Sequence, residues 1–158
     1  MRVDQIMTKQ VSRCSPDQTL AEAAQLMWDH DCGCLPVCTG NGASRIVGVI
    51  TDRDICMSAL FKGKPLHELR VSDAMSTQLQ TCRPDDSVAD VEKKMREAKI
   101  RRLPVVDEQG ALVGMVSLAD LAREAARENA LPEQEITEME VGDTLAAICQ
   151  PAGQQLAA

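Results

Sequence analysis

An α/β fold of the α+β kind, built from two copies of one β-α-β-β-α unit, is predicted by three features of the chain. The first is an internal repeat. Val3–Leu60 lies over Val71–Glu128 at a shift of 68 residues, so that Met7 falls on Met75, Pro16 on Pro84, Met27 on Met95 and Leu35-Pro36-Val37 on Leu103-Pro104-Val105. The second is where the register slips. Past the Thr39–Ser44 loop the shift is 66, placing Gly48 on Gly114, Thr51 on Ser117 and Asp54 on Asp120. Register that holds through periodic segments and slips only in a loop marks a duplicated structural unit. The third is that strand-like and helix-like periodicities follow one another in the same order in both copies. With two copies only, each must bury its apolar face against the other, and the groove between them is the first place to look for a site.

In the first copy, Val11–Cys14 reads as a short strand and Ser15-Pro16-Asp17 as a turn. Thr19 is an N-cap for a helix over Leu20–His30, whose apolar positions Leu20, Ala23, Ala24 and Met27 have helical spacing. Gly33 breaks the pattern, and Cys34–Cys38 and Ile46–Ile50 read as strands around a loop rich in Gly and Asn. Thr51 then caps a second helix over Asp52–Leu60, with acids in its first turn where the helix dipole favours them. The second copy runs as strand Gln80–Cys82, turn Arg83-Pro84-Asp85, and helix Val88–Ala98 capped by Asp86 or Ser87. Strands Leu103–Asp107 and Leu112–Val116 follow, and then helix Leu118–Asn129 capped by Ser117. The expected organisation is residues 1–62 for the first repeat, 63–70 for a linker and 71–130 for the second repeat. Residues 131–158 form an acidic tail with a short helix at Val141–Cys149 and fraying from Pro151 on.

Composition narrows the function. Trp28 and Phe61 are the only aromatics, so Val, Leu, Ile, Ala and Met must fill the core, and stacking platforms for nucleic-acid bases are missing. Of the net charge of −7, five charges lie after Ala130, on Glu133, Glu135, Glu138, Glu140 and Asp143. A near-neutral body with an acidic tail is a poor footprint for nucleic acid or an anionic membrane. No apolar stretch is long enough to span a bilayer, and Met1-Arg2-Val3-Asp4 does not open a signal peptide, so a cytoplasmic protein is expected.

The seven cysteines are an odd number, which argues for reduced thiols. Cys32, Cys34 and Cys38 suggest a metal cluster at first sight. There is no CxxC pair, however, and His30 and His67 are the only histidines, so buried apolar thiols are the better reading and no metal site is assigned. Cys14 and Cys82 occupy matching positions and should share a packing role; a Cys14–Cys38 disulfide is an open alternative whose geometry decides it. No GxSxG, HExxH or phosphate-binding Gly-rich loop occurs, and no catalytic residue is assigned.

The end of the third strand in each copy carries chemistry. In Ile50-Thr51-Asp52-Arg53-Asp54 a strand runs into a helix, where a hydroxyl and backbone N–H groups suit a phosphate and a carboxylate three residues on can accept ribose hydroxyls. Ser117-Leu118-Ala119-Asp120 offers the same pair. Plain helix capping explains either copy alone; the duplication favours a nucleotide site. Arg101-Arg102 precede Leu103-Pro104, and Gly33-Cys34 stand at the matching positions. An Arg fork can hold phosphate, whereas Gly and Cys offer backbone and small apolar surface.

This order, with CGCLPV and VGVITDRDI in the first copy and IRRLPVVDEQGALVGMVSLADL in the second, resembles the CBS domain, named for cystathionine β-synthase, whose tandem pair is called a Bateman module. The resemblance covers Val3 to about Ala130 and is closest to short free-standing bacterial CBS-pair proteins. It implies two repeats packed with pseudo-twofold symmetry and two clefts mixing residues of both. One cleft would hold Ser117, Asp120 and Arg101 with Cys14, Ser15 and Gly33; the other would hold Thr51, Asp54 and Cys34 with Cys82, Arg83 and Arg102. If only one cleft binds, the one holding Ser117, Asp120 and Arg101 is expected.

Three functions compete. The resemblance implies a non-catalytic regulatory module for an adenosine-containing small molecule (AMP, ADP, ATP or S-adenosylmethionine), with no cofactor required and a protein effector as its output. A homodimer is also implied, with Met27, Met57, Met95 and Trp28 as candidate interface residues. The second reading is a ligand-free CBS dimerisation platform, in which the same Thr, Ser and Asp residues are caps and Cys14, Cys32, Cys34 or Cys38 respond to redox state. An enzyme has no support from the motifs.

Overall fold

The computed structural model describes residues 1–40, 44–129 and 134–150. The expected Gly- and Asn-rich loop tip and the fraying from Pro151 lie outside them. The chain divides into two compact units. The first, here the N-unit, contains Gln10–Leu79 and Asp107–Leu112; the second, the C-unit, contains Met1–Lys9, Gln80–Val106 and the described residues from Val113 on.

The elements run α1 (Val3–Ile6), α2 (Leu20–Asp29), β1 (Cys34–Thr39), β2 (Arg45–Thr51), α3 (Asp52–Lys62), α4 (Val88–Ala98), β3 (Arg102–Val106), β4 (Leu112–Ser117), α5 (Leu118–Glu128) and α6 (Glu138–Cys149). Single 3₁₀ turns lie at Leu66–Glu68 and Val71–Asp73, within the N-unit. The α+β class and the order of helices and hairpins in each copy are as the sequence predicts.

Each helix starts where its cap dictates. Thr19, Thr51, Ser87 and Ser117 each accept a hydrogen bond from the backbone N–H three residues on. Of the two candidate caps for α4, Ser87 takes the role, and Asp86 instead accepts from the Arg83 backbone N–H at 3.1 Å and pairs with Lys94. Helix α3 runs two residues beyond the expected Leu60 and stops at Gly63, which has φ +60.

β1 and β2 form an antiparallel hairpin with Cys34 opposite Thr51, and β3 and β4 form the matching two-stranded sheet. The expected strands Val11–Cys14 and Gln80–Cys82 are shorter than predicted. Only Cys14 and Cys82 make ladder contacts, as single parallel bridges to Val37 and Val105. Pro16 and Pro84 follow two residues later and bend the chain away from the sheet edge.

The compact units are not the sequence repeats. The leading segment of each repeat is built into the unit of the other. Thr8 pairs with Met115 on β4, and its counterpart Ser76 pairs with Val49 on β2. Arg2 likewise bridges Ser87, while Arg70 bridges Thr19. The paired glycines explain why this fits. A Cβ on Gly114 would lie 2.7 Å from Met7 Sδ and 3.0 Å from the Thr8 carbonyl oxygen; on Gly48 it would lie 2.9 Å from Met75 Sδ and 3.0 Å from the Ser76 carbonyl oxygen. The Val-Gly step of each copy is therefore a seat for the exchanged Met.

Leu20, Ala23, Met27, Leu35, Val37, Ile50, Ile55 and Val71 form the core of the N-unit. Val3, Val91, Met95, Leu103, Val105, Val116 and Leu121 form that of the C-unit. The C-unit core is extended by Ile136 and Ile148. The segment expected as an acidic tail with a short helix at Val141–Cys149 packs into this unit across its described residues, its helix beginning earlier, at Glu138. α6 packs on α4 and α5, and the buried Glu128 carboxylate accepts the backbone N–H groups of Glu135 and Ile136 at 2.8 and 3.0 Å. Among the described residues no helix is long and apolar enough to cross a membrane.

Candidate functional site

The candidate residues fall at one strand-to-helix corner in each unit. In the N-unit, β2 ends at Thr51 and α3 begins at Asp52. Asp54 Oδ2 accepts from the Thr51 backbone N–H at 2.9 Å and from its hydroxyl at 2.7 Å, while Thr51 Oγ1 accepts from the Asp54 N–H at 3.2 Å. This is a capping box, with two polar groups satisfied reciprocally. Among the described residues Asp54 Oδ1 receives no hydrogen bond, and the residue is only half-buried. The Gly33 carbonyl accepts from the Asp52 N–H at 3.2 Å, and a Cβ on Gly33 would lie 2.8 Å from Asp52 Oδ2. Gly33, Cys34, Thr51 and Asp54 are thus brought together. Cys14 joins the same sheet through hydrogen bonds with Pro36 and Cys38, and Ser15 follows it, its N–H donating to Gln18 Oε1 at 2.8 Å.

The C-unit builds the same corner from different neighbours. Asp120 Oδ2 accepts from the Ser117 N–H at 2.8 Å and its hydroxyl at 2.6 Å, and the Arg101 carbonyl accepts from the Leu118 N–H at 2.9 Å. Asp120 differs from Asp54 in being buried, at 7% exposure, with its Oδ1 bound by the Arg123 guanidinium. The i, i+3 spacing of Asp120 and Arg123 on one helix is the signal in the sequence for this pair. Arg102 and Arg83 are exposed, and Arg101 is exposed with its guanidinium donating to Cys149 Sγ at 3.5 Å. Arg53, in the stretch that leads into α3, is also exposed.

The sequence reading groups Ser15 and Gly33 with Asp120, and Arg83 and Arg102 with Asp54. The contacts described place Ser15 and Gly33 in the unit of Asp54, and Arg83 and Arg102 in the unit of Asp120. The Ser/Thr-x-x-Asp/Glu box is also less specific than its duplication suggests, since Thr19 with Glu22 and Thr137 with Glu140 form the same box on helices outside either corner. What sets Thr51–Asp54 and Ser117–Asp120 apart is their place at the end of a strand.

The cysteines are thiols, Cys14 and Cys38 included, so the open disulfide is not formed. Cys14 and Cys82 do share a role. Each is buried, and each Sγ lies 3.8–3.9 Å from the carbonyl oxygen of the Pro in the neighbouring strand. Burial pushes both thiols up to about 12, and burial also raises Cys38. A thiolate is the reactive form, so Cys14 and Cys38 are poor redox sensors. No group of three or more His, Cys, Asp or Glu residues suited to a metal is found among the described residues.

The family model for the CBS domain matches residues 3–60 and again residues 71–127. The chain belongs to the CBS-domain family. This CBS pair is similar to the CBS domain-containing protein YhcV of Bacillus subtilis, at 43% identity over 120 residues, 76% of this chain and 82% of the relative. Three solved structures are also alike. Hypoxic Response Protein I with two coordinated zinc ions has 33% identity and TM-score 0.69, covering 78% of this chain and 98% of that one. The CBS pair of protein MJ0100, in complex with 5-methylthioadenosine and S-adenosyl-L-methionine, has 29% identity and TM-score 0.66 over 78% and 98%. CBSX2 in complex with AMP has 26% identity and TM-score 0.70 over 81% and 98%.

Proposed function

We propose that this CBS pair is a non-catalytic regulatory module that binds an adenosine-containing ligand in clefts formed by its two repeats and passes the binding state to a protein effector. The observation that carries this reading is the duplicated corner at the end of β2 and of β4. Each presents a hydroxyl and a carboxylate at a helix start that follows a strand, and two similar CBS pairs hold AMP, or 5-methylthioadenosine and S-adenosyl-L-methionine. The ribose hydroxyls would donate to Asp54 Oδ1 or Asp120 Oδ1, and a phosphate would lie toward the helix start and the neighbouring Arg side chains. The clefts retain the assignment made from the resemblance, each mixing residues of both repeats. The sequence reading favours the Asp120 cleft for its arginines. The unengaged Asp54 Oδ1 shifts the expectation toward Thr51–Asp54, because binding at Asp120 must first displace Arg123.

Ligand would alter the output only through a difference in affinity between two arrangements of the protein. A homodimer is part of this proposal by family resemblance. Met27 and Met95 are core residues and are removed from the candidate interface, while Trp28 stays exposed. The zinc of the hypoxic response protein is not carried over, because the described residues contain no matching ligand group. Calorimetric titration of the chain with AMP, ATP and S-adenosylmethionine tests the proposal. Heat of binding that falls in Asp54→Ala supports it. Absence of heat and of thermal shift at millimolar concentrations of all three would instead favour the ligand-free platform.

A further inference from the structure

The two strand-to-helix corners differ at a position outside the capping boxes. Arg123 on α5 stands where the first repeat has Met57 on α3. At the N-unit corner Met57 is half-buried and uncharged, and Asp54 Oδ1 receives no hydrogen bond among the described residues. At the C-unit corner the Arg123 guanidinium binds Asp120 Oδ1. The two partners of this pair are unequally placed, the Asp120 side chain being 7% exposed and that of Arg123 71%. An exposed cation is thus laid over a buried anion. Long helix side chains lean toward the helix N-terminus, which brings Arg123 back over the first turn of α5.

Arg123 is also the guanidinium that the C-unit brings to this corner. Arg101 reaches the corner with its backbone, whose carbonyl accepts from the Leu118 N–H at 2.9 Å, but its side chain donates to Cys149 Sγ at the end of α6. Leu118 and Ala119 stand where the N-unit has Asp52 and Arg53, so Asp120 is the one charged residue in the first turn of α5. A ribose that donates to Asp120 Oδ1 must take the place of Arg123. With adenosine, which has no phosphate, the exchange replaces a charge-assisted bond to a buried carboxylate by neutral ones, and charge-assisted bonds are roughly twice as strong. A phosphate reverses the balance. It would lie over the same helix start, where it repels Asp120 unless a cation stands between them, and Arg123 can fork onto it on leaving Asp120. A sulfonium end adds a second cation beside Arg123 and gains nothing from it.

We propose that Arg123 makes the Asp120 cleft selective for adenosine ligands that carry a phosphate, favouring AMP and ATP over adenosine, 5-methylthioadenosine and S-adenosylmethionine. The Asp54 cleft, with Met57 in that place, has no such gate and takes both classes. This deepens the nucleotide reading above and rests on it; what it adds is a specificity-determining residue outside the Ser/Thr-x-x-Asp box and a different ligand class for each cleft.

Calorimetric titration of the full chain with AMP and with adenosine tests the proposal, Asp54→Ala serving to silence the other cleft. In Asp54→Ala, AMP should bind about tenfold more tightly than adenosine, and the preference should shrink at about 1 M salt. Adding Arg123→Met, which installs the N-unit residue, should strengthen adenosine about tenfold and AMP by no more than about twofold, so that the preference disappears. The reciprocal chain, Asp120→Ala with Met57→Arg, should impose the preference on the Asp54 cleft. Thermal melts show which variants fold, and the reciprocal chain decides alone if the first pair does not. Where the wild-type chain binds AMP, three results overturn the role of Arg123 and leave the nucleotide reading standing: equal binding of the two ligands in Asp54→Ala, no binding of either in that variant, or a preference that survives Arg123→Met. A wild-type chain that binds neither ligand overturns both.

Discussion

In the C-unit a helix covers α4 and α5, and Asp120 at the start of α5 is buried and held by Arg123; among the described residues no such helix lies on α2 and α3, and one carboxylate oxygen of Asp54 at the start of α3 receives no hydrogen bond. The same plan therefore yields a closed, strongly packed copy and an open, accessible one. The difference lies in few residues. Trp28 for Arg96, Gly33 for Arg101 and Cys56 for Ala122 change what the helix pair can hold, while the core positions beneath them keep their apolar character.

The largest effect should come from uncovering the closed copy. Ile148→Ala removes a buried contact of α6 and should cost about 2–4 kcal/mol in denaturant unfolding. Trp28→Ala at the matching face should cost less than about 0.5 kcal/mol, because the side chain is exposed. Equal costs would break the contrast between the faces.

The corners come next. Asp54→Ala should weaken an adenosine ligand by about 1–3 kcal/mol in calorimetry, since it removes hydrogen bonds to the ribose. Asp120→Ala should cost less, and Arg123→Ala should strengthen binding by freeing Asp120 Oδ1. Wild-type binding in both Asp variants would remove the site assignment.

A third contrast concerns charge under α6. Glu92 is buried, its Oε1 has no hydrogen-bond partner among the described residues, and burial, then Glu140, raise its pKa. Its ionisation is thus easier in the unfolded chain. The penalty is absent below the ordinary glutamate pKa and grows as pH rises through the raised folded value. Glu92→Gln should accordingly raise the melting temperature at pH 7 and change it little at pH 4; Ala24, at the matching position, carries no such penalty. A loss of stability at pH 7 would show that the carboxylate has a partner.

An effect confined to alkaline pH is shared by both copies. Cys14 and Cys82 hold their protons to about pH 12 when folded, against 9 for an ordinary thiol. The unfolded chain releases those protons first, so the stability the two thiols contribute is present below pH 9 and is lost as pH rises from 9 to 12. Cys14→Ala and Cys82→Ala should each flatten that alkaline decline in thermal melts. A change in only one of them would separate the two positions.

Much of this fold is legible in the sequence because its signals are local. Thr19, Thr51, Ser87 and Ser117 start helices at the residues their hydroxyls predict, and the apolar spacing of Leu20, Ala23 and Met27 gives the buried face of α2. What is not legible depends on distant partners. Nothing in Val3–Thr8 says which repeat it will pair with, since Gly48 and Gly114 offer like seats. The acidic segment after Ala130 reads as a tail because its partners, Arg96 and the Glu128 carboxylate, are far from it in sequence or outside its own pattern. The site residues were found by type and spacing, but whether an oxygen is unengaged, as on Asp54, or held, as on Asp120, depends on a neighbouring side chain that no motif encodes.

The exchanged leading segments bear on where the chain can be divided. A fragment ending at Leu60 keeps Gly48 but loses Met75, and one beginning at Val71 keeps Gly114 but loses Met7, so a cut between the sequence repeats parts each glycine from the methionine that covers it.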